Sequence, residues 1–247
     1  MSNFPGTLEL FGGSFTPQNY AHCNGQTMAI SVHTGLFQVL GTRWGGNGRT
    51  NFNMPKIADL KTTEGQSIPY LMEVDGSFGE GSAWTTTIGT GIIGEIIYLP
   101  TEYTINGFVE CNGASLNKND YDQLYNLFGT TFGGSGDEFN VPNIAPLKTE
   151  DNPTTIKAFM RAGDDFSGDL STLAYIMLWP GAGMPSAQYQ ECAGQSIQIS
   201  ENPALYSIIG DLFGQDDPAS FNLPKLDAGL NGLKYIICVQ GVYPRRQ

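Results

Sequence analysis

Four cysteines and two histidines are the residues best suited to nucleophilic or metal chemistry in this 247-residue chain. His22 stands directly before Cys23, an order that suggests a thiolate paired with an imidazole. No acid stands nearby to orient the ring, and Cys111 and Cys192 are preceded instead by Glu110 and Glu191. A nucleophile that needs histidine would therefore exist at one of three comparable places, which argues against catalysis. Each of Cys23, Cys111 and Cys192 is followed two residues later by glycine, at Gly25, Gly113 and Gly194. A small buried hydrophobe ahead of a tight turn is the better reading of that pattern. Cys238 falls outside this spacing, and a Cys192–Cys238 disulfide is conceivable without being required by it.

Other tempting groups reduce in the same way. Gly45-Gly46-Asn47-Gly48-Arg49 has the glycines of a phosphate cradle but not its Gly-Lys-Ser/Thr ending, and reads as a connecting loop. The carboxylates of Gly163-Asp164-Asp165-Phe166-Ser167-Gly168-Asp169 lack the ligand order and twelfth-position glutamate of a calcium loop. Asp216-Asp217 lies in one polar loop, where a solvated pair is the default rather than an acid–base couple. No metal ligand set and no cofactor site is expected. Trp44 occupies a place that is phenylalanine in comparable segments, so it reads as core. Trp84, in a Gly/Ser/Thr-rich stretch, is the candidate for a partner contact.

What must position these residues is an internal repeat. Three residues before each anchoring cysteine comes an aromatic, at Tyr20, Phe108 and Tyr189. Eight residues after it comes a helix-capping type, Ser31, Asn119 or Ser200, and eighteen after it a glycine, Gly41, Gly129 or Gly210. Between cap and stop the apolar residues coincide, including Leu36, Leu124 and Leu205, which predicts a short helix with one buried face. Past the stop come Trp44, Phe132 or Phe213, then a polar loop, then Phe-Asn-x-Pro at Phe52–Pro55, Phe139–Pro142 and Phe221–Pro224. Apolar strands frame each unit: 8–11, 95–98 and 175–178 in front, and runs beginning at Tyr70, Lys157 and Tyr235 behind. The expected fold class is α+β, in three tandem units: 1–80, 81–168 and a diverged 169–247. The joins fall near 79–91 and 165–172, where Gly, Ser and Thr cluster.

The repeated unit resembles the phage tail collar domain. The middle copy carries the likeness best, in Gly94-Glu95-Ile96, Pro100, Cys111-Asn112-Gly113, Gly129-Thr130-Thr131-Phe132-Gly133-Gly134 and Phe139-Asn140-Val141-Pro142. The third copy departs most, with Cys192-Ala193-Gly194, and Gln215-Asp216-Asp217 in place of the glycine-rich loop. The resemblance implies a non-enzymatic structural or adhesive protein of a phage tail or tail-like particle: a collar, fibre tip or receptor-binding component. Its rival is a bacterial surface or carbohydrate-binding module of the microcystin-dependent type. Trimeric fibres of this kind bring three chains around an axis; three units in one chain imply a single-chain pseudo-trimer. Some such fibres hold metal through paired histidines, and His22 and His33 do not form that pair.

Charge limits the partners. With 24 Asp and Glu against 12 Lys and Arg, the net charge is -12, which repels nucleic acid and anionic membrane surfaces. The N-terminal MSNFPGTLELFGG lacks a basic n-region and a long apolar run, and no stretch approaches a membrane span. The expected partners are other structural proteins of the assembly and a cell-surface glycan, and the expected location is a virion or extracellular particle assembled without a signal peptide.

Overall fold

The structure, a computed structural model, describes residues 5–75, 91–100, 107–150, 155–163 and 171–246. Most of the two expected joins lies outside them. Among the described residues the main sheet has ten strands: β1 (Leu8–Phe11), β2 (Tyr20–His22), β3 (Tyr70–Glu73), β4 (Ile96–Leu99), β5 (Phe108–Glu110), β6 (Leu147–Lys148), β7 (Thr155–Arg161), β8 (Tyr175–Trp179), β9 (Tyr189–Glu191) and β10 (Lys234–Cys238). With three short helices among the described residues, α1 (Thr34–Leu40), α2 (Asp122–Phe128) and α3 (Pro203–Ile209), the fold is α+β and mostly strand.

Each copy builds the same antiparallel motif. Its opening strand pairs with its last strand, and the last strand pairs with the strand before the cysteine. The cysteine amide extends this pairing: Cys23 donates to Tyr70 O, Cys111 to Ala158 O and Cys192 to Tyr235 O, at 3.0, 2.9 and 2.9 Å. Tyr70, Ala158 and Tyr235 face Leu10, Tyr98 and Leu178 across the ladder, so those three positions correspond. Two residues earlier, Leu8, Ile96 and Ile176 correspond as well. Strands this short are marginal alone. They are held because their apolar side chains, Leu8, Leu10, Ile96, Ile176 and Leu178 among them, fall in one buried cluster.

The opening strands also bridge to one another. Leu8 lies opposite Tyr98, Ile96 opposite Leu178, and Ile176 opposite Leu10. Copy one thus pairs with copy two, copy two with copy three, and copy three with copy one.

The helices are too short to persist without packing. Each buries a leucine completely, Leu36, Leu124 or Leu205, beside the equally buried Phe52, Phe139 or Phe221. Each ends at its expected glycine, where φ is 57°, 55° or 59° at Gly41, Gly129 and Gly210. There the glycine amide donates to Phe37, Tyr125 or Tyr206 O at 2.7 Å. A side chain with a Cβ would strain that left-handed turn. The helix starts differ from the sequence reading. The cap positions are His33, Tyr121 and Asn202, and none makes a side-chain capping bond. Ser31, Asn119 and Ser200 sit in a preceding turn, in which the amides of His33, Tyr121 and Asn202 find carbonyl oxygens of Ala29, Asn117 and Gln198. That backbone turn satisfies the amide a capping side chain would have served.

Candidate functional site

Two features go beyond packing within a copy. The first is a set of contacts between copies. Val39 of α1 packs with Leu99 and its neighbours in copy two. A Cβ added to Gly6 would lie 3.1 Å from Val39 Cγ1 and 3.7 Å from Pro100. Leu127 of α2 packs with Trp179 of copy three. Ile208 of α3 lies against the Phe11–Gly13 corner of copy one, where Ile208 O accepts from Ser14 N at 3.4 Å. Val39, Leu127 and Ile208 are the same position in their helices, three residues after Leu36, Leu124 and Leu205. Loop contacts run the same way round: Glu150 N donates to Lys56 O, and Thr63 N to Lys225 O, both at 2.9 Å. Arg43 donates to Pro100 O at 2.6 Å, and Trp44 Nε1 to Thr149 Oγ1 at 3.3 Å.

The second feature is a cavity of about 420 Å3 where the three opening strands meet, with further walls from Tyr20, Tyr70, Glu73 and Tyr235. Residues 17–19 and the C-terminal segment 242–245 also line it. Three glutamates line it, in two settings. Glu95 is paired: Arg161 Nε donates to its Oε1 at 3.1 Å, both side chains are buried, and the guanidinium lies 4.6 Å from the Phe108 ring centroid. Glu9 and Glu73 have no ion pair among the described residues. Tyr20 donates to Glu9 Oε2 at 3.0 Å and is also in hydrogen-bond contact with Glu73. Glu73 is 2% exposed, and its Oε1 has no hydrogen-bond partner. Burial pushes Glu73 up to about 8 and Glu9 up to about 7, despite the lowering contact from Tyr20; the charges of Glu9 and Asp75 raise Glu73 further while the N-terminal ammonium lowers it, and Glu95 raises Glu9.

A sequence model of the phage tail collar domain matches residues 6–60, 94–146 and 174–229. The chain belongs to the phage tail collar domain family. No curated protein and no solved structure adds a further match. The collar domain is a structural domain of phage tail fibres, and here it occurs three times in tandem. Among the described residues no helix is long and apolar enough to cross a membrane.

The collar repeat puts the residues singled out in the sequence into turns and core. Cys23, Cys111, Cys192 and Cys238 are all buried free thiols, and burial raises the first three well above the ordinary thiol range. No Cys192–Cys238 bond forms. Cys238 is not outside the repeat: it pairs with Tyr189 as Glu73 pairs with Tyr20 and Arg161 with Phe108. Gly25, Gly113 and Gly194 donate to the carbonyls of Pro55, Pro142 and Pro224, closing each cysteine turn onto the end of Phe-Asn-x-Pro. Phe213 is buried, whereas Trp44 and Phe132 are half-buried at the edges where copies meet. His22 contacts Thr16 Oγ1 through Nε2 at 2.8 Å, and His33 Nδ1 lies 3.2 Å from Asp75. Neither reaches a cysteine sulfur by any hydrogen bond among the described residues. Asp217 caps its own turn through Ala219 N and Ser220, and Asp216 accepts from Asn222. Trp84 and the acidic run 164–169 lie outside the described residues. Glu9, Glu73 and Arg161 were not among the candidate site residues, and Glu95 stood only as a mark of the family resemblance. The signal was present: charged residues inside the apolar runs Leu-Glu-Leu-Phe and Tyr-Leu-Met-Glu-Val.

Proposed function

We propose that this chain is a non-enzymatic structural or adhesive component of a phage tail or tail-like particle, acting as a collar or fibre tip, and that its three collar units close as a single-chain pseudo-trimer. The observation that carries the second half is the cyclic register of the opening strands. Position 8 of one copy faces position 10 of the next, through Leu8–Tyr98, Ile96–Leu178 and Ile176–Leu10. Helix contacts at Val39, Leu127 and Ile208 follow the same cycle. A ring of three chains would make each such contact between molecules; one fused chain satisfies them internally, and the copies are then free to diverge. The family supports the first half, because the collar domain belongs to tail fibres. The partners this implies are other structural proteins of the assembly, with a cell-surface glycan met through the polar loops.

The test is immunogold negative-stain imaging of particles from producing cells, joined to sedimentation of the purified chain. The expected result is label at one end of a tail-like particle and a one-chain mass in solution. Absence of label from every particle would overturn the tail assignment in favour of a free surface or carbohydrate-binding module. A stable trimer of chains would overturn the internal closure while leaving the family unaffected.

A further inference from the structure

The collar scaffold does not need the carboxylates that copy one places in the central cavity. Glu9 corresponds to Ile97 and Met177, by the residues each faces across its ladder. Glu73 corresponds to Arg161 and Cys238. Copy two thus holds a cation at this place and copy three a thiol, and both build the same motif. In copy one the pair Glu9 and Glu73 converges on a single phenol, Tyr20. One phenolic proton cannot serve four carboxylate oxygens. Glu73 Oε1 is accordingly left without a donor although the residue is 98% buried, the complement of its 2% exposure. Leaving such an acceptor unsatisfied is costly unless something supplies the hydrogen bond.

The surroundings specify what that donor is. The Tyr20 and Tyr175 rings lie with centroids 5.6 Å apart and planes tilted by 55°, and Tyr70 and Tyr98 meet edge-on at 6.3 Å. Leu10, Ile96 and Leu178 add aliphatic wall. Acceptors at one end, aromatic faces around it and an apolar body fit a cation carrying N–H donors on a short hydrocarbon chain. The groups that face Glu73 and Glu9 are Tyr20, Tyr175, Glu95 with its partner Arg161, Asp75 with its partner His33, and the N-terminal ammonium, whose charge lowers Glu73; Arg245 also lines the cavity. The cavity volume of about 420 Å3 is within the ~300–1,000 Å3 typical of small-molecule sites.

We propose that this cavity is a binding site for a small primary ammonium ligand, whose N–H groups bond Glu73 and Glu9 and whose aliphatic body lies among the tyrosines and strand residues. Residues 17–19 and the C-terminal segment, tied together by Gln18 N to Arg245 O at 2.7 Å, line the same cavity. Binding requires ionised carboxylates, so a ligand cation competes with the protons these groups hold at neutral pH.

The test is calorimetric titration of the full chain with n-hexylammonium chloride at pH 8.5 and pH 6, beside 1-hexanol and tetramethylammonium. Saturable binding of hexylammonium is expected at pH 8.5, weakened at least about tenfold at pH 6, where Glu73 and Glu9 hold their protons. Hexanol, which has the body without the charge, and tetramethylammonium, which has the charge without donors, are each expected to bind at least about tenfold more weakly. Glu73→Gln should cost at least about tenfold, and Glu9→Gln gives a second, independent loss in case the first variant misfolds. Equal binding of hexanol or tetramethylammonium, retention of affinity in both folded variants, or no heat of binding up to about 10 mM ligand would each overturn the proposal. Because the purified chain alone is used, failure here leaves the tail assignment standing.

Discussion

Replacing Glu73 with Gln should make the protein more stable at alkaline pH and nearly unchanged at pH 5. The carboxyl titrates near 4.5 in an exposed chain and near 8 in the folded protein, chiefly because burial disfavours its charge. Between those values the folded state holds a proton that the unfolded state has released. Stability from this group is therefore fully present below about pH 4.5 and is lost as pH rises through about 8. A shift of that size, at about 1.4 kcal/mol per unit, corresponds to roughly 4–5 kcal/mol across the window. Glu9 titrates in the same network and shares part of it, so ~2–4 kcal/mol is the expected effect of one substitution. Glutamine resembles the protonated acid and cannot ionise. Denaturant unfolding of both proteins at pH 5, 6, 7, 8 and 9 would read the difference directly, with equal m-values required for the comparison. The parent should lose stability toward pH 9 while the variant stays nearly level. Parallel curves, or a parent more stable than the variant at pH 9, would show that Glu73 is already solvated or paired and would refute the reasoning.

Two further outcomes follow from the repeat. Leu36→Ala, Leu124→Ala and Leu205→Ala should each cost about 2–5 kcal/mol in denaturant melts, because all three side chains are fully buried at one equivalent place; a neutral result at any of them would contradict the shared helix packing. Gly41→Ala, with φ of 57° and nothing near its Cβ, should cost about 1 kcal/mol, whereas Gly94→Ala should cost about 2–4 kcal/mol, since φ is 90° and the new Cβ would lie 2.3 Å from Leu127; equal losses would place the clash elsewhere.

Much of the unit was legible in the chain itself because its markers act locally. Gly41, Gly129 and Gly210 stop helices through a backbone conformation that only their own dihedrals decide. Phe52, Phe139 and Phe221 recur at nearly the same distance from the cysteine because a two-stranded ladder pairs each with the short strand that follows the cysteine, as in Met28–Phe52. The helix starts were misread because Ser31, Asn119 and Ser200 look like caps, while the turn before each helix supplies a backbone acceptor instead. The bridges Leu8–Tyr98 and Ile96–Leu178 had no local sign: nothing in an apolar tetrapeptide tells which other tetrapeptide it will face. Glu9 and Glu73 were hidden for a related reason. A charged residue in a short strand ordinarily marks the solvent face, and only the meeting of three strands turns that face inward.

The pairing of copy three with copy one differs from the other two in one respect. Copies one and two, and copies two and three, are consecutive along the polypeptide, so their contacts are backed by a covalent connection. The third junction has none. Its strand bridges are Leu10–Ile176 and Phe11–Tyr175, and across it the C-terminal tail lies against copy one, with Pro17 bridged to Arg246 and the Arg246 guanidinium 4.5 Å from the Phe15 ring centroid. Tension applied through the C-terminus would first peel the tail from residues 15–18, and then Val242 from Ser171–Leu173 of its own copy, before it reached β10. The outermost contacts between copies three and one are therefore the first to be lost under load, at a place fixed by the order in which the three copies were joined.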